Sequence, residues 1–316
     1  MWFILQNAAI VTSEVQAEAL AGDEVGVGDE RAGVATLTDV VWQRNALHPN
    51  ADEERVEGQR AGSAARRFDA ARRLLWQCYG RALMLEVRNL SKGYGGLLAV
   101  ESLSFTVEGG EVVALLGPNG AGKSTTLTCV AGYQKPDSGT VLWNGRVLGA
   151  DRSRHIALVP ETPEVFPLLT IWEHLVFVAR GLDLPAGWEP EARELLDRFQ
   201  LLDQRDKLGE ALSKGMRQKL LVACAALART EVMMLDEPMV GLDPHAQREL
   251  RGMLLELRSS GRALIISSHL ITYLEGLADR AVIIKAGRLV ADGTLEALKD
   301  RYGSHDLEDA FFEATN

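Results

Sequence analysis

The hydrophobic pattern changes character at Met84. From there on, short apolar runs of strand length recur, separated by stretches with helical spacing. Leu85 to Leu90 and Ser102 to Val107 alternate apolar with polar positions, as strands with one covered face do. Val112 to Leu116, Ile156 to Val159, Val232 to Leu235 and Ala263 to Ser267 are nearly unbroken apolar runs, the pattern of strands covered on both faces. Val141 to Leu148 is centred on Asn144-Gly145, a pair that tolerates positive φ at both turn positions and predicts a tight hairpin. Strands alternating with helices predict an α/β fold: a mostly parallel core sheet covered by helices, with an antiparallel portion near the start of this region.

Residues 1–83 read differently. They carry nine Arg and no Lys, whereas all eight Lys residues fall from Lys92 onward. Residues 1–60 hold eleven acids against four Arg, and residues 61–83 hold five Arg against one acid, so the stretch is polarised from −7 to +4. Polarisation without a sustained hydrophobic period predicts a poorly ordered or partly helical extension. Within it, residues 65–83 place Phe68, Leu75 and Tyr79 on one helical face. Three readings stand for that piece: an interfacial helix on an acidic membrane, a solvated helical tail, or residues translated upstream of a native start at Met84. The predicted division is therefore an extension over 1–83 and a folded unit over 84–316.

Composition narrows the function classes. A formal charge of −10 argues against a large phosphate-backbone footprint, so no nucleic acid partner is expected. Cys78, Cys129 and Cys224 are widely spaced, which offers neither a disulfide framework nor a zinc site and suits a reducing compartment. No run approaches the roughly 20 apolar residues needed to span a bilayer; Leu220 to Ala228 is closed by Lys219 and Arg229. The first residues also lack the layout of a signal peptide.

Three segments carry chemistry. After the strand ending at Leu116, Gly117-Pro118-Asn119-Gly120-Ala121-Gly122-Lys123-Ser124-Thr125 matches GxxxxGK[ST] in full. Its glycines let successive N–H groups curl toward a phosphate at a helix N-terminus; Lys123 neutralises phosphate charge and the Ser124 hydroxyl ligates Mg2+. Val232 to Leu235 leads into Asp236-Glu237, which puts carboxylates at the end of a buried strand, where parallel sheets present their ligands. Asp236 is expected to hold Mg2+ through a water, and Glu237 to serve as general base toward the attacking water. Ser213-Lys214-Gly215-Met216 opens another helical run, a second set of donors at a helix start; on its own Ser213 is an ordinary N-cap. One ATP held by residues 117–125 has no need of these donors, which are therefore expected to serve an ATP held by a second subunit.

Together these segments resemble the ATP-binding subunits of ABC transporters, over about residues 84–316. The resemblance implies a P-loop NTPase cassette with a core sheet, an antiparallel β subdomain and a helical subdomain over about 162–226. Residues 117–125 then stand as Walker A, Asp236 and Glu237 as the end of Walker B, and Ser213 to Met216 as the signature. Gly241-Leu242-Asp243-Pro244 resembles the D-loop, with Asp243 its acid, and His269 after Ser267-Ser268 resembles the switch histidine. Tyr94 falls where the family stacks an aromatic ring on adenine.

Two departures stand out. Glu161 occupies the lid position usually held by Gln; it still offers Mg2+ an oxygen ligand but adds negative charge beside the γ-phosphate. Lys214 replaces the common Gly of the signature, either to present a cation to the neighbour's ATP or to be solvated. The Ser-Lys-Gly-Met form and the ending Leu307 to Phe312 are similar to bacterial exporters whose permease is a separate chain.

The resemblance implies an ATPase that closes as a dimer around two ATP molecules and moves an integral membrane permease from the cytoplasmic face of the membrane. The apolar segment Val165 to Trp172 is expected to contribute both to the core of the helical subdomain and to a groove receiving the permease, with Phe166 and Leu168 at the docking face. The competing class is an ABC ATPase of a non-transport complex, such as a cluster-assembly machine.

Overall fold

A computed structural model describes residues 84–149, 151–269 and 271–315; the readings made for residues 1–83 lie outside the described residues. Six strands form the larger sheet: β3 (Val112–Leu116), β6 (Ile156–Val159), β7 (Val232–Asp236), β8 (Ala263–Ser268), β9 (Arg280–Lys285) and β10 (Arg288–Thr294). Their order is β10-β9-β3-β8-β7-β6, and every pairing is parallel except that of β10 with β9. The smaller sheet is antiparallel throughout and built from β1 (Met84–Tyr94), β2 (Leu97–Glu108), β4 (Ser138–Trp143) and β5 (Arg146–Val147), in the order β2-β1-β4-β5. The fold is thus α/β with a mostly parallel core and an antiparallel companion, as the hydrophobic pattern predicts.

Alternation along the core strands sorts their side chains into two layers. Val113 and Leu115 of β3, Met234 of β7 and Ile265 of β8 face the small sheet and helix α1 (Lys123–Ala131), which is sandwiched between the sheets. Val112, Ala114 and Leu116, with Met233, Leu235, Leu264 and Ile266, face the remaining helices. All five residues of β3 are fully buried, each large one worth about 1.5–3 kcal/mol relative to exposure, so the strand is a fixed platform for the loop that follows. The two sheets are stapled at the opposite end by Arg280, which bonds Glu111, Asp292 and the carbonyl of Thr106 on β2.

Helix α2 (Arg152–His155) is a single turn leading into β6. Between β6 and β7 the described residues form helices α3 (Ile171–Gly181), α4 (Glu189–Arg198) and α5 (Lys214–Leu227). Helix α3 starts with a full capping box, Thr170 and Glu173 each bonding the other's backbone N–H. After β7 come α6 (Pro244–Ser259), then β8 to β10, α7 (Leu295–Tyr302) and α8 (Leu307–Thr315).

Two differences from the pattern have physical causes. β1 runs past Leu90 to Tyr94 and β2 starts at Leu97, because register shifts at Val87/Leu90, Leu90/Lys92 and Lys92/Gly93 break the alternation that marks a regular strand. The β9–β10 hairpin carries no Asn-Gly signal; its turn is Ala286-Gly287, both at positive φ. The Asn144-Gly145 turn does adopt positive φ at both residues, 52° and 80°, as its sequence predicts.

Candidate functional site

Register aligns the strand ends that carry the chemistry. Leu116 of β3 pairs with Ser268 of β8, Asp236 of β7 with Ser267, and Leu235 with Val159 of β6. Residues following these strands, namely Gly117, Glu237, His269 and Glu161, therefore emerge at one edge of the sheet, the edge at which open α/β sheets bind ligands.

The loop 117–122 curls between β3 and α1. Gly122 sits at φ 103°, and a Cβ there would lie 2.3 Å from the carbonyl oxygen of Ala99 on β2. The same oxygen would be 2.8 Å from a Cβ on Gly287, and the Gly287 N–H donates to Ala121 O at 2.9 Å. Three backbones thus meet without side chains between them, which fixes the loop. Lys123 is buried, its Nζ donating to Gly117 O at 2.8 Å, while Ser124 is exposed at the first turn of α1.

Opposite the loop, Lys123 Nζ lies 3.4 Å from Glu237 Oε1, and both side chains are more than nine-tenths buried. His269 Nδ1 is 3.0 Å from the same carboxylate oxygen, and the His269 backbone N–H donates to the other at 3.3 Å. Glu237 has φ 45°, a left-handed conformation that costs a non-glycine residue about 1–3 kcal/mol and is kept where the surroundings over-determine it. Part of that determination comes from Ser267: its Oγ accepts from the Glu237 N–H at 2.9 Å and donates to Asp236 Oδ1 at 2.5 Å. Ser267 is a functional position that sequence reasoning names only as the end of a strand. A hydroxyl inside an otherwise apolar parallel strand, one register step from an acid, was the available signal.

The donor set suits Mg2+. Asp236 and Glu237 bring two carboxylates into a buried edge where Lys123 supplies one balancing charge, and Asp236 with the Ser124 hydroxyl offers hard oxygen donors. No group of three or more His, Cys, Asp or Glu side chains among the described residues could hold a metal alone.

The remaining predicted residues make contacts of their own. Tyr94 is 48% exposed on the small sheet, with its hydroxyl bonded to Gln134 beyond α1. Glu161 is exposed just after β6. Asp243 is the N-cap of α6, its Oδ1 accepting from the N–H groups of His245 and Ala246 at 2.9 and 3.0 Å; the Ala246 bond is the largest cause holding its carboxyl below the ordinary range. Ser213 caps α5, accepting from Met216 N–H at 3.2 Å, while Gly215 backs onto Ala246 and Leu242. Lys214 is exposed, and its Nζ donates to Val240 O at 2.7 Å.

The segment 165–170 divides between surface and interior. Leu168 is 73% exposed, but Phe166 is half-buried and packs edge-on against Phe177, with ring centroids 5.3 Å apart. Its backbone N–H donates to His174 Nε2 at 3.0 Å, so the proton of that buried ring resides on Nδ1, which donates to Thr170 O at 2.6 Å. Both nitrogens are occupied by the neutral form, and burial pulls the His174 pKa from 6.5 to about 4. Between those values the unfolded chain binds a proton that the folded chain does not, so stability falls as pH drops through the window, by about 3 kcal/mol in total. Denaturant midpoints at pH 7, 5 and 4 should show this slope, and His174→Gln should flatten it; an equal slope in the variant would assign it elsewhere.

Residues 100–240 match the family described as ABC transporter. The ABC-type transporter ATP-binding protein EcsA of Bacillus subtilis is 33% identical over 238 residues, spanning 73% of this chain and 96% of that protein. The SkfA peptide export ATP-binding protein SkfE of the same species is 37% identical over 212 residues, 66% of this chain and 88% of that protein. A solved structure of the ATP-binding subunit of an ABC transporter superposes with a TM-score of 0.69 at 36% identity, covering 74% of this chain and 100% of that one.

Proposed function

Since this chain belongs to the ABC transporter family of ATP-binding subunits, we propose that it binds and hydrolyses ATP with Mg2+, two copies closing around two nucleotides to drive a separate membrane permease in export. The observation that carries this reading is the buried pair Lys123 and Glu237 facing the phosphate loop, with the exposed His269 ring against the same carboxylate. An ABC subunit that only sensed nucleotide would have no need of a carboxylate oriented by a lysine, a histidine and a strained backbone at once.

Phosphates arriving at the loop compete for Lys123. As the ammonium turns to them, Glu237 is released from its ion pair and left as a base beside the site of attack. The His269 ring, donating through Nδ1, keeps that carboxylate aimed. Ser124 and Asp236 would hold Mg2+, which supplies charge neutralisation on the β- and γ-oxygens when bound. The exposed face of Tyr94 would stack on adenine, and Glu161 would complete the lid.

Ser213 and Gly215 present backbone donors at the start of α5 to the ATP of the second copy, with Met216 beside them and Lys214 and Asp243 ordering that surface. No described helix is long and apolar enough to cross a membrane, so the permease is assigned to other chains, reached from the cytoplasmic face. Leu168 is the apolar contact offered to it. The motion has a path back to the signature: Gly209 N–H donates to Leu169 O at 2.8 Å and Glu210 N–H to Pro167 O at 3.1 Å, four and three residues before Ser213. Export is supported by the SkfA peptide export ATP-binding protein SkfE, a relative named for it.

The purified chain should release phosphate from Mg-ATP and sediment as a dimer only with nucleotide. Extracted from membranes, it should bring down hydrophobic multi-span subunits, and Leu168→Asp should release them. Soluble scaffold proteins in their place would favour the non-transport class.

A further inference from the structure

The loop 239–243 begins two residues after Glu237, and its carbonyls are held by side chains of two helices. Gln247 of α6 donates to Met239 O at 3.3 Å and to Leu242 O at 3.1 Å. The carbonyl between them, Val240 O, is taken by Lys214 of α5 at 2.7 Å. The lysine stem lies across Gly241, which has φ 71°; a Cβ there would meet Nζ at 2.8 Å and Cδ and Cε at 3.6 Å. Below this contact the two helices continue to touch. A Cβ on Gly215 would lie 3.4 Å from Ala246 Cβ, and Lys219 pairs with Glu249, both side chains mostly buried. At the other end the loop is tied to the base itself, Val240 N–H donating to Glu237 O at 3.2 Å.

We propose that Lys214 is a positioning residue that latches the turn at Ser213 to the loop running from Glu237, so that the two shift as one body. The glycine common at this position has no side chain to reach Val240 O, whereas the four-carbon stem of lysine crosses Gly241 to do so. On the two-copy reading, Ser213 and Gly215 face the partner's nucleotide while Glu237 acts on the chain's own. Lys214 then links the two ATP sites of the dimer through three residues of backbone, and engagement of one nucleotide biases the base at the other. That second step rests on the proposed sandwich; the latch itself does not.

The test compares the full chain with K214M, which keeps the stem and loses the donor, and K214R, which restores a donor. Hydrogen exchange of the ligand-free protein should accelerate about two- to tenfold in K214M, the range set by one hydrogen bond, at residues 213–217 and 240–243 together, and return in K214R. Wild-type exchange in K214M, or loosening of one segment without the other, would overturn the latch. In steady-state hydrolysis the wild type should respond sigmoidally to ATP and K214M hyperbolically, with K214R again sigmoidal. Loss of packing alone would lower both variants' rates without this split, and would refute the coupling. If the wild type neither dimerises nor hydrolyses, the sandwich fails while the exchange data still decide the latch.

Discussion

Replacing Glu237 with Gln should slow ATP turnover by about 10²–10⁴-fold, the range of a positioned general base, while ATP still binds. Glutamine matches the shape of the carboxylate, and its amide oxygen can accept from His269 Nδ1 at the 3.0 Å now spanned. What it cannot do is take a proton from water. The backbone frame is untouched, because the Glu237 N–H bond to Ser267 Oγ does not involve the side chain. Closure without hydrolysis leaves the nucleotide-bound dimer with no route to reopen, so E237Q incubated with Mg-ATP should accumulate as a dimer in sedimentation. Turnover at the wild-type rate would move the base to another residue.

Replacing Lys123 with Met should weaken ATP binding by about 10²–10³-fold, the loss expected when a buried charge partner is removed. The variant should also be less stable, because Glu237 would keep its buried carboxylate without the ammonium that now pairs with it. These two effects have separate causes and can be separated. In the double variant K123M/E237Q the stranded charge is gone, so much of the stability should return, while affinity for ATP should not. Calorimetric titration and thermal melting of the four proteins form the cycle. Recovery of affinity in the double variant would mean that Lys123 serves the fold rather than the phosphates.

The core of the fold was legible because β3, β6, β7 and β8 are buried on both faces and announce themselves as unbroken apolar runs. The β9–β10 hairpin was not, since its outer strand is half exposed and its turn lacks the residues that signal one. At the site, residues 117–125 were legible because a loop curling on backbone N–H groups constrains its own composition. Ser267 was not, because its importance lies in register: it stands beside Asp236 only once β7 and β8 pair. The seat of Phe166 was not legible for a related reason. Its contact with His174 spans eight residues and a change of direction, and neither residue alone predicts that the loop folds back over the helix. Lys214 was legible as an anomaly but not as a contact, since Val240 lies twenty-six positions away.

The meeting of Ala99, Ala121–Gly122 and Gly287 has a mechanical consequence. Where side chains separate two segments, a small displacement of one is absorbed by rotamers; here backbone oxygen and backbone glycine are in direct apposition, so there is nothing compliant between them. The cradle for the nucleotide is referenced rigidly to both sheets, and a shift of the small sheet by a few tenths of an ångström arrives at the cradle undiminished. Tuning of the nucleotide's seat is therefore delegated to distant positions that tilt one sheet against the other, such as the Arg280 staple, rather than to residues lining the seat itself.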